Sequence, residues 1–321
     1  MSLFSYFTAS RILVFPDSPP SVVAYEGEFT HRDLHTRGIR LHAVSAGNPQ
    51  HPLVLFLHDA LTCWADYADI LAPLAAQGWH AVALDLRGYG MSDKPPHGYS
   101  VRHIVGDLAG AIRTLGYDHA HVYGSGVGAH LAVLLATAYP NVVASISFSD
   151  GGHPSDLRAL MLRHPWALRR HWRSACVSYI SPAVVGGTVL PWPKLIQCNL
   201  RRVTTEQFHM SQAYQINLER RVQAASISHV PQAMLKVVKL AFATVPAKWQ
   251  HANLVQPVLQ FQSPAAHTNL LFRALQRRAP DCQQIRLPET NLRPHLENPI
   301  AFCQALHTFM AAHTAENGAQ A

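Results

Sequence analysis

A glycine, Gly126, stands where this chain is expected to carry a nucleophile. The segment His121-Val122-Tyr123-Gly124-Ser125-Gly126-Val127-Gly128-Ala129-His130 reads as an apolar strand, a glycine-rich turn and the start of an apolar helix. That is the layout of a nucleophile elbow, Gly-x-nucleophile-x-Gly, with Gly124 and Gly128 as the outer glycines. The central position has no side chain. Ser125 carries a hydroxyl next door, but the turn points adjacent side chains in different directions. A small polar residue is also what such a turn tolerates.

Nucleophilic chemistry needs three further things: an acid, an imidazole, and backbone N–H groups to hold a developing oxyanion. Asp150, in Phe148-Ser149-Asp150-Gly151-Gly152-His153, is placed sensibly for the acid, although an aspartate before two glycines also suits a plain turn. His295 lies late in the readable core. It serves either as a base or as a buttress for its loop. Asp59 and Val127 are the positions expected to offer the oxyanion-hole N–H groups. The Asp59 carboxylate would repel a developing oxyanion, unless it caps the helix beginning near Trp64 or tilts toward solvent. His58 with Asp59, His130, His153 and His209 could meet at one mouth, but no HxxH, HExxH or HxD pair falls among them. No metal and no cofactor is expected.

The elements that must position these residues are legible from apolar runs. Arg37–Ala46 alternates weakly as an antiparallel leading strand. Pro52–Leu57, Trp79–Leu84, Ala120–Tyr123 and Val143–Phe148 are continuous apolar runs that suit strands buried on both faces. Helical spacing over Trp64–Gly78, Ser100–Leu115 and Val127–Tyr139 separates them. After His153 the alternation breaks into a helical, basic, proline-punctuated stretch. It returns at Pro257–Gln262, followed by a helix over Ala266–Arg278, a strand over Gln284–Leu287 and a helix over Pro299–Ala312. The implied division is a core over 36–153, a helical cap over 154–247, the rest of the core over 248–312 and a tail over 313–321.

Composition agrees with a buried α/β sheet: 48% of the 321 residues are hydrophobic and only 14% charged. The net charge of +7 and the 21 histidines make the chain basic, increasingly so in acid. Much of that charge falls in the cap, where Lys and Arg outnumber Asp156, Glu206 and Glu219. Trp166, Arg169, Arg170, Trp172, Arg173, Trp192, Arg201 and Arg202 interleave aromatics with bases. In a cap, the aromatics are expected to line a substrate roof and the arginines to face solvent, so no nucleic acid is expected. An anionic membrane surface or an acidic partner remains open for the basic face. The five cysteines, Cys63, Cys176, Cys198, Cys282 and Cys303, are spread without a CxxC pair and read as reduced thiols of a cytoplasmic protein. Met1–Phe7 lacks the basic start of a signal peptide, and no apolar run is long enough to span a membrane.

Four segments, in order, resemble α/β-hydrolases of the epoxide hydrolase and haloalkane dehalogenase type. They are Leu57-His58-Asp59-Ala60, the loop Asp85-Leu86-Arg87-Gly88-Tyr89-Gly90-Met91-Ser92-Asp93-Lys94-Pro95-Pro96, the elbow Gly124–Gly128, and Pro294-His295-Leu296-Glu297-Asn298-Pro299. The resemblance implies a mostly parallel sheet with helices on both faces and a helical cap. It also implies a catalytic histidine three or four residues before His295, where Asn291 and Leu292 stand. It implies an acid near Ser263–His267, a stretch without a carboxylate, or after the preceding core strand, at Asp150. Two functions follow. In one, the chain is non-catalytic and binds a small apolar molecule or a partner between core and cap, with His58, His153 and Trp192 expected to face it. In the other, it is a hydrolase with a rearranged set, Ser125, Asp150 and His295. The empty nucleophile and base positions favour the first.

Overall fold

The computed structural model describes residues 17–169, 171–172 and 192–318. Eight strands form one sheet: β1 (Thr30–Thr36), β2 (Ile39–Ala46), β3 (Leu53–Leu57), β4 (His80–Leu84), β5 (Ala120–Ser125), β6 (Val143–Ser149), β7 (Val258–Phe261) and β8 (Cys282–Ile285). Their spatial order is β1-β2-β4-β3-β5-β6-β7-β8. β1 pairs antiparallel with β2, β2 antiparallel with β4, and all other pairs are parallel. The sheet is therefore mostly parallel, as the apolar runs implied. β3 through β7 are buried along their whole length, as suits their mainly apolar residues and few polar ones.

β1 was not legible as a strand. Its Thr-His-Arg-Asp-Leu-His-Thr sequence is polar and mostly exposed, because it is the sheet edge. A tight turn at Arg37 and Gly38, both at positive φ (50° and 75°), joins it to β2.

Helices follow the strands. Ala68–Ala76 packs with Pro299–Gly318, and Val101–Thr114 packs with Val127–Ala138. Between β6 and β7 the chain leaves the sheet and runs through helices at Pro154–Arg163, Trp192–Val203, Gln212–Ala225 and Val230–Val238. Two ion pairs, one buried and one partly buried, tie this insertion down. Arg221 meets Asp66 at 2.6 Å, and Asp156 meets Arg278 at 2.6 Å. Among the described residues, no helix is long and apolar enough to cross a membrane. Cys63, Cys198, Cys282 and Cys303 are unpaired thiols, and Cys176 lies outside the described residues.

The parallel register brings the functional positions to one edge. Leu57 lies opposite both Leu84 and Gly124, Ser125 opposite Ser149, and Ser149 opposite Phe261. The loops that leave β3, β5 and β6 at their carboxyl ends carry Asp59, Gly126 and Asp150. This is the end of an open parallel sheet at which ligands bind.

Candidate functional site

The elbow is built as its sequence implied. β5 ends at Ser125, the helix starts at Val127, and Gly126 between them has φ 55° and ψ −119°. That conformation strains any residue with a Cβ. The outer glycines allow close crossing. A Cβ on Gly124 would strike the Gly128 backbone, and one on Gly128 would strike the Leu57 carbonyl.

The nucleophile's place is filled from another loop. A Cβ on Gly126 would overlap the Asp59 carboxylate. Asp59 Oδ1 accepts hydrogen bonds from Ala60 N (2.7 Å) and Val127 N (2.9 Å). These are the two N–H groups that converge as an oxyanion hole would. The second donor is therefore Ala60 and not Asp59. Asp59 neither caps the next helix nor turns to solvent; its side chain plugs the hole. Its Oδ2 accepts from Arg293 Nη2 at 2.5 Å, and Arg293 Nη1 lies 3.7 Å from Asp150 Oδ2. The Arg293 side chain is 1% exposed. Burial works against its charge, but Asp59, Asp150 and Asp66 outweigh it and hold its pKa above the ordinary value. Sequence reasoning missed Arg293. The signal available was reciprocal: a carboxylate at 59 where a glycine is usual, a glycine at 126 where a nucleophile is usual, and a cation beside the empty base position.

Ser125, Asp150 and His295 each have another partner. Tyr67 Oη donates to the Leu57 carbonyl (2.8 Å), so at 3.0 Å it accepts from Ser125 Oγ. Asp150 Oδ1 instead meets His267 Nε2 at 3.1 Å. His295 is enclosed by Tyr67, Tyr123 and Phe302, with Nδ1 3.1 Å from Tyr123 Oη. It buttresses its loop from inside the core. The base positions are silent: Asn291 Oδ1 accepts from Ser263 Oγ at 2.6 Å, and Leu292 is buried.

A cavity of about 110 Å³ lies against this plug. Asp59, His130, Asp150 and Arg293 line its floor, and Val203, Val238, Ala241 and Phe242 from the insertion form its apolar roof. The residues expected to face a ligand do not line it. His58 is buried, donating from Nδ1 to the Asp59 carbonyl (2.7 Å) and accepting at Nε2 from Leu86 N (3.1 Å). His153 caps the helix Pro154–Arg163, and Trp192 packs inside the insertion. The aromatic roof is also absent from this cavity: Trp166 is 83% exposed and Trp172 is partly exposed. Arg202 lies along the cavity wall as well as facing solvent. Arg170 and Arg173 lie outside the described residues.

The buried histidines give the protein an acid limit. Burial holds His295 down to about 4 and His121 down to about 3, and it also lowers His58 and His130. Unfolded, each returns to about 6.5. Above that value both states are neutral and nothing is lost. Below it the unfolded chain binds protons that the fold refuses. Stability should therefore fall from about pH 6.5 down to the folded values, by on the order of 1.4 kcal/mol per pH unit for each such histidine. Urea melts between about pH 7 and about pH 5 check this, and a midpoint that holds or rises in acid contradicts it.

The alpha/beta hydrolase fold family model matches residues 52–174. Epoxide hydrolase 4 of Mus musculus is 35% identical over 157 residues, covering 48% of this chain and 44% of that protein. The match thus spans less than half of that relative's length. Among solved structures, Cfl2 from Burkholderia cenocepacia superposes with a TM-score of 0.74 at 22% identity, covering 88% of this chain and 96% of that one. Epoxide hydrolase VrEH1 from Vigna radiata superposes at 0.72 and 18% identity, covering 89% and 98%. At those identities the structures speak for the fold, while the sequence match over the elbow speaks for kinship. The chain has the α/β-hydrolase fold, and over about half of its length its sequence is similar to epoxide hydrolases.

Proposed function

We propose that this chain does not hydrolyse esters or epoxides by the family route, and that it binds a small molecule between the sheet and its helical cap. The observation that carries the reading is the Asp59 carboxylate seated on Ala60 N and Val127 N above a side-chain-free Gly126. An oxyanion hole works by stabilising charge that appears only in the transition state. A permanent anion held in the hole by Arg293 leaves no donor for that charge. Nucleophile and base each contribute orders of magnitude in rate, and both standard positions are vacant. The epoxide hydrolase names of the relatives therefore describe the ancestry of this pocket rather than its present chemistry.

The ligand class follows from size and lining. A volume of about 110 Å³ is somewhat below the ~150 Å³ cavity that accepts benzene. It suits a few heavy atoms with an apolar end toward Val238 and Phe242 and a polar end toward His130 and Arg293. Purified protein should turn over nitrophenyl esters, a styrene-oxide-type epoxide and a haloalkane no faster than buffer, and Ser125→Ala should change nothing. 1-Butanol should give saturable shifts in an NMR titration, and Ala241→Trp, which fills the cavity, should remove them. Turnover above buffer that Ser125→Ala abolishes would refute the non-hydrolytic reading. Unchanged binding by Ala241→Trp would refute the location.

A further inference from the structure

Three potential ligands meet at the side of this cavity from remote parts of the chain. Asp150 follows β6, His171 belongs to the insertion, and His267 opens the helix Ala266–Gln276 after β7. One ligand atom from each lies within 4.8 Å of the other two, and all three residues are buried. His267 Nε2 is 3.1 Å from Asp150 Oδ1, and the two imidazole rings are 5.2 Å apart at 63°. His58, His130, His153 and His209, the histidines considered for a metal from sequence, are not part of this cluster.

Two imidazoles and one carboxylate are a donor set for a borderline divalent ion. Bonds of about 2.0–2.2 Å in a tetrahedral shell put ligand atoms roughly 3.4 Å apart. Asp150 Oδ1 and His267 Nε2, 3.1 Å apart, are already near that separation, and the pairs that involve His171, within 4.8 Å, close by rotation of its ring. With a metal on Nε2, the His267 ring carries its proton on Nδ1.

The surroundings fit a bound ion. Asp150 is held at φ 56°, a conformation rarely adopted outside glycine. Its second oxygen faces Arg293 at 3.7 Å, an outer contact of the kind that orients a ligating carboxylate. Arg293 is already balanced by Asp59, so the ion would meet a neutral pair rather than a bare cation. Asp150 and His171 also line the cavity. A coordination position beyond the three protein ligands would therefore open into it, the arrangement that distinguishes reactive or ligand-binding sites from closed structural ones.

We propose that Asp150, His171 and His267 together bind one divalent transition-metal ion of the zinc class, with an open position directed into the cavity. The site does not depend on the non-hydrolytic reading, and one experiment separates the two. Chelator-treated full-length protein is titrated with cobalt(II), followed by its visible absorption, and then with zinc(II) in competition. One saturable equivalent is expected, with the spectrum of a nitrogen and oxygen shell, no thiolate charge-transfer band, and displacement by zinc. Asp150→Asn and His171→Gln should each weaken binding at least about tenfold, and His267→Ala should remove it. His97→Ala and His251→Ala, both at exposed positions, should leave it unchanged. Circular dichroism identifies any variant that fails to fold, and the remaining variants then decide. Equal cobalt binding by wild type and all folded site variants, or loss of binding in His97→Ala or His251→Ala, overturns the proposal. Ester or epoxide turnover that appears only on zinc loading would overturn the non-hydrolytic reading and leave the metal site standing.

Discussion

Gly126→Asp is expected to destabilise the protein by about 4 kcal/mol or more, and adding Asp59→Gly to it is expected to recover most of that loss. The single change does three unfavourable things. It puts a Cβ at φ 55°, which costs about 1–3 kcal/mol. It drives that Cβ into the Asp59 carboxylate. It also puts two carboxylates where Ala60 N, Val127 N and Arg293 serve one. Asp59→Gly alone is expected to be costly in the opposite sense. It strips Arg293 of its 2.5 Å partner, and breaking one side of a buried pair costs about 3–5 kcal/mol. In the double variant one carboxylate returns to the same spot from the other loop, so only the backbone strain remains. A double-mutant cycle by urea denaturation should give a coupling of at least about 4 kcal/mol toward mutual rescue. Additive losses would mean that positions 59 and 126 do not share one site. The swapped chain should still hydrolyse nothing, because Asn291 and Leu292 supply no imidazole.

That prediction was only half legible in the sequence. The empty elbow and the unusual Asp59 could both be read, because each is a departure at a fixed place in a motif. Their connection could not. Asp59 and Gly126 lie far apart in the chain and meet only through the parallel register of β3 and β5. Strands β3 to β7 were readable for a simple reason: a strand buried on both faces is mostly apolar. β1 escaped because an edge strand with solvent on it carries no such signature. The aromatic roof failed for a related reason. Trp192 opens a helix and Trp166 lies in a turn, and whether such a side chain meets a cavity, another helix or solvent is set by tertiary packing. The Asp150, His171 and His267 cluster has no spacing signature, since three different excursions from the sheet deliver its members.

The insertion's seat over the core yields the other large effect. Arg221, in the helix Gln212–Ala225, gives Asp66 a two-point grip, Nε at 3.1 Å and Nη2 at 2.6 Å, and Thr62 Oγ1 adds a hydrogen bond at 2.5 Å. Both charged side chains are buried. Burial alone would raise the Asp66 pKa. Arg221 and His295 overcome it, so the carboxyl stays ionised and its pKa lies well below the usual range. Arg221→Ala should therefore cost about 3–5 kcal/mol, because it strands a carboxylate away from water. Replacing both partners, Asp66→Leu with Arg221→Met, should cost much less, since the desolvation penalty of both ions disappears with their attraction. The two variants distinguish stability from placement. If the pair also fixes where the insertion sits, the double variant should melt near wild type yet bind 1-butanol more weakly, because Val238 and Phe242 would no longer be held over the cavity. If the double variant loses as much stability as Arg221→Ala, the loss comes from packing at that seat and not from the stranded charge. In that case the apolar contacts of Leu218 and Ala224 on the same helix hold the insertion, and the ion pair is incidental to it.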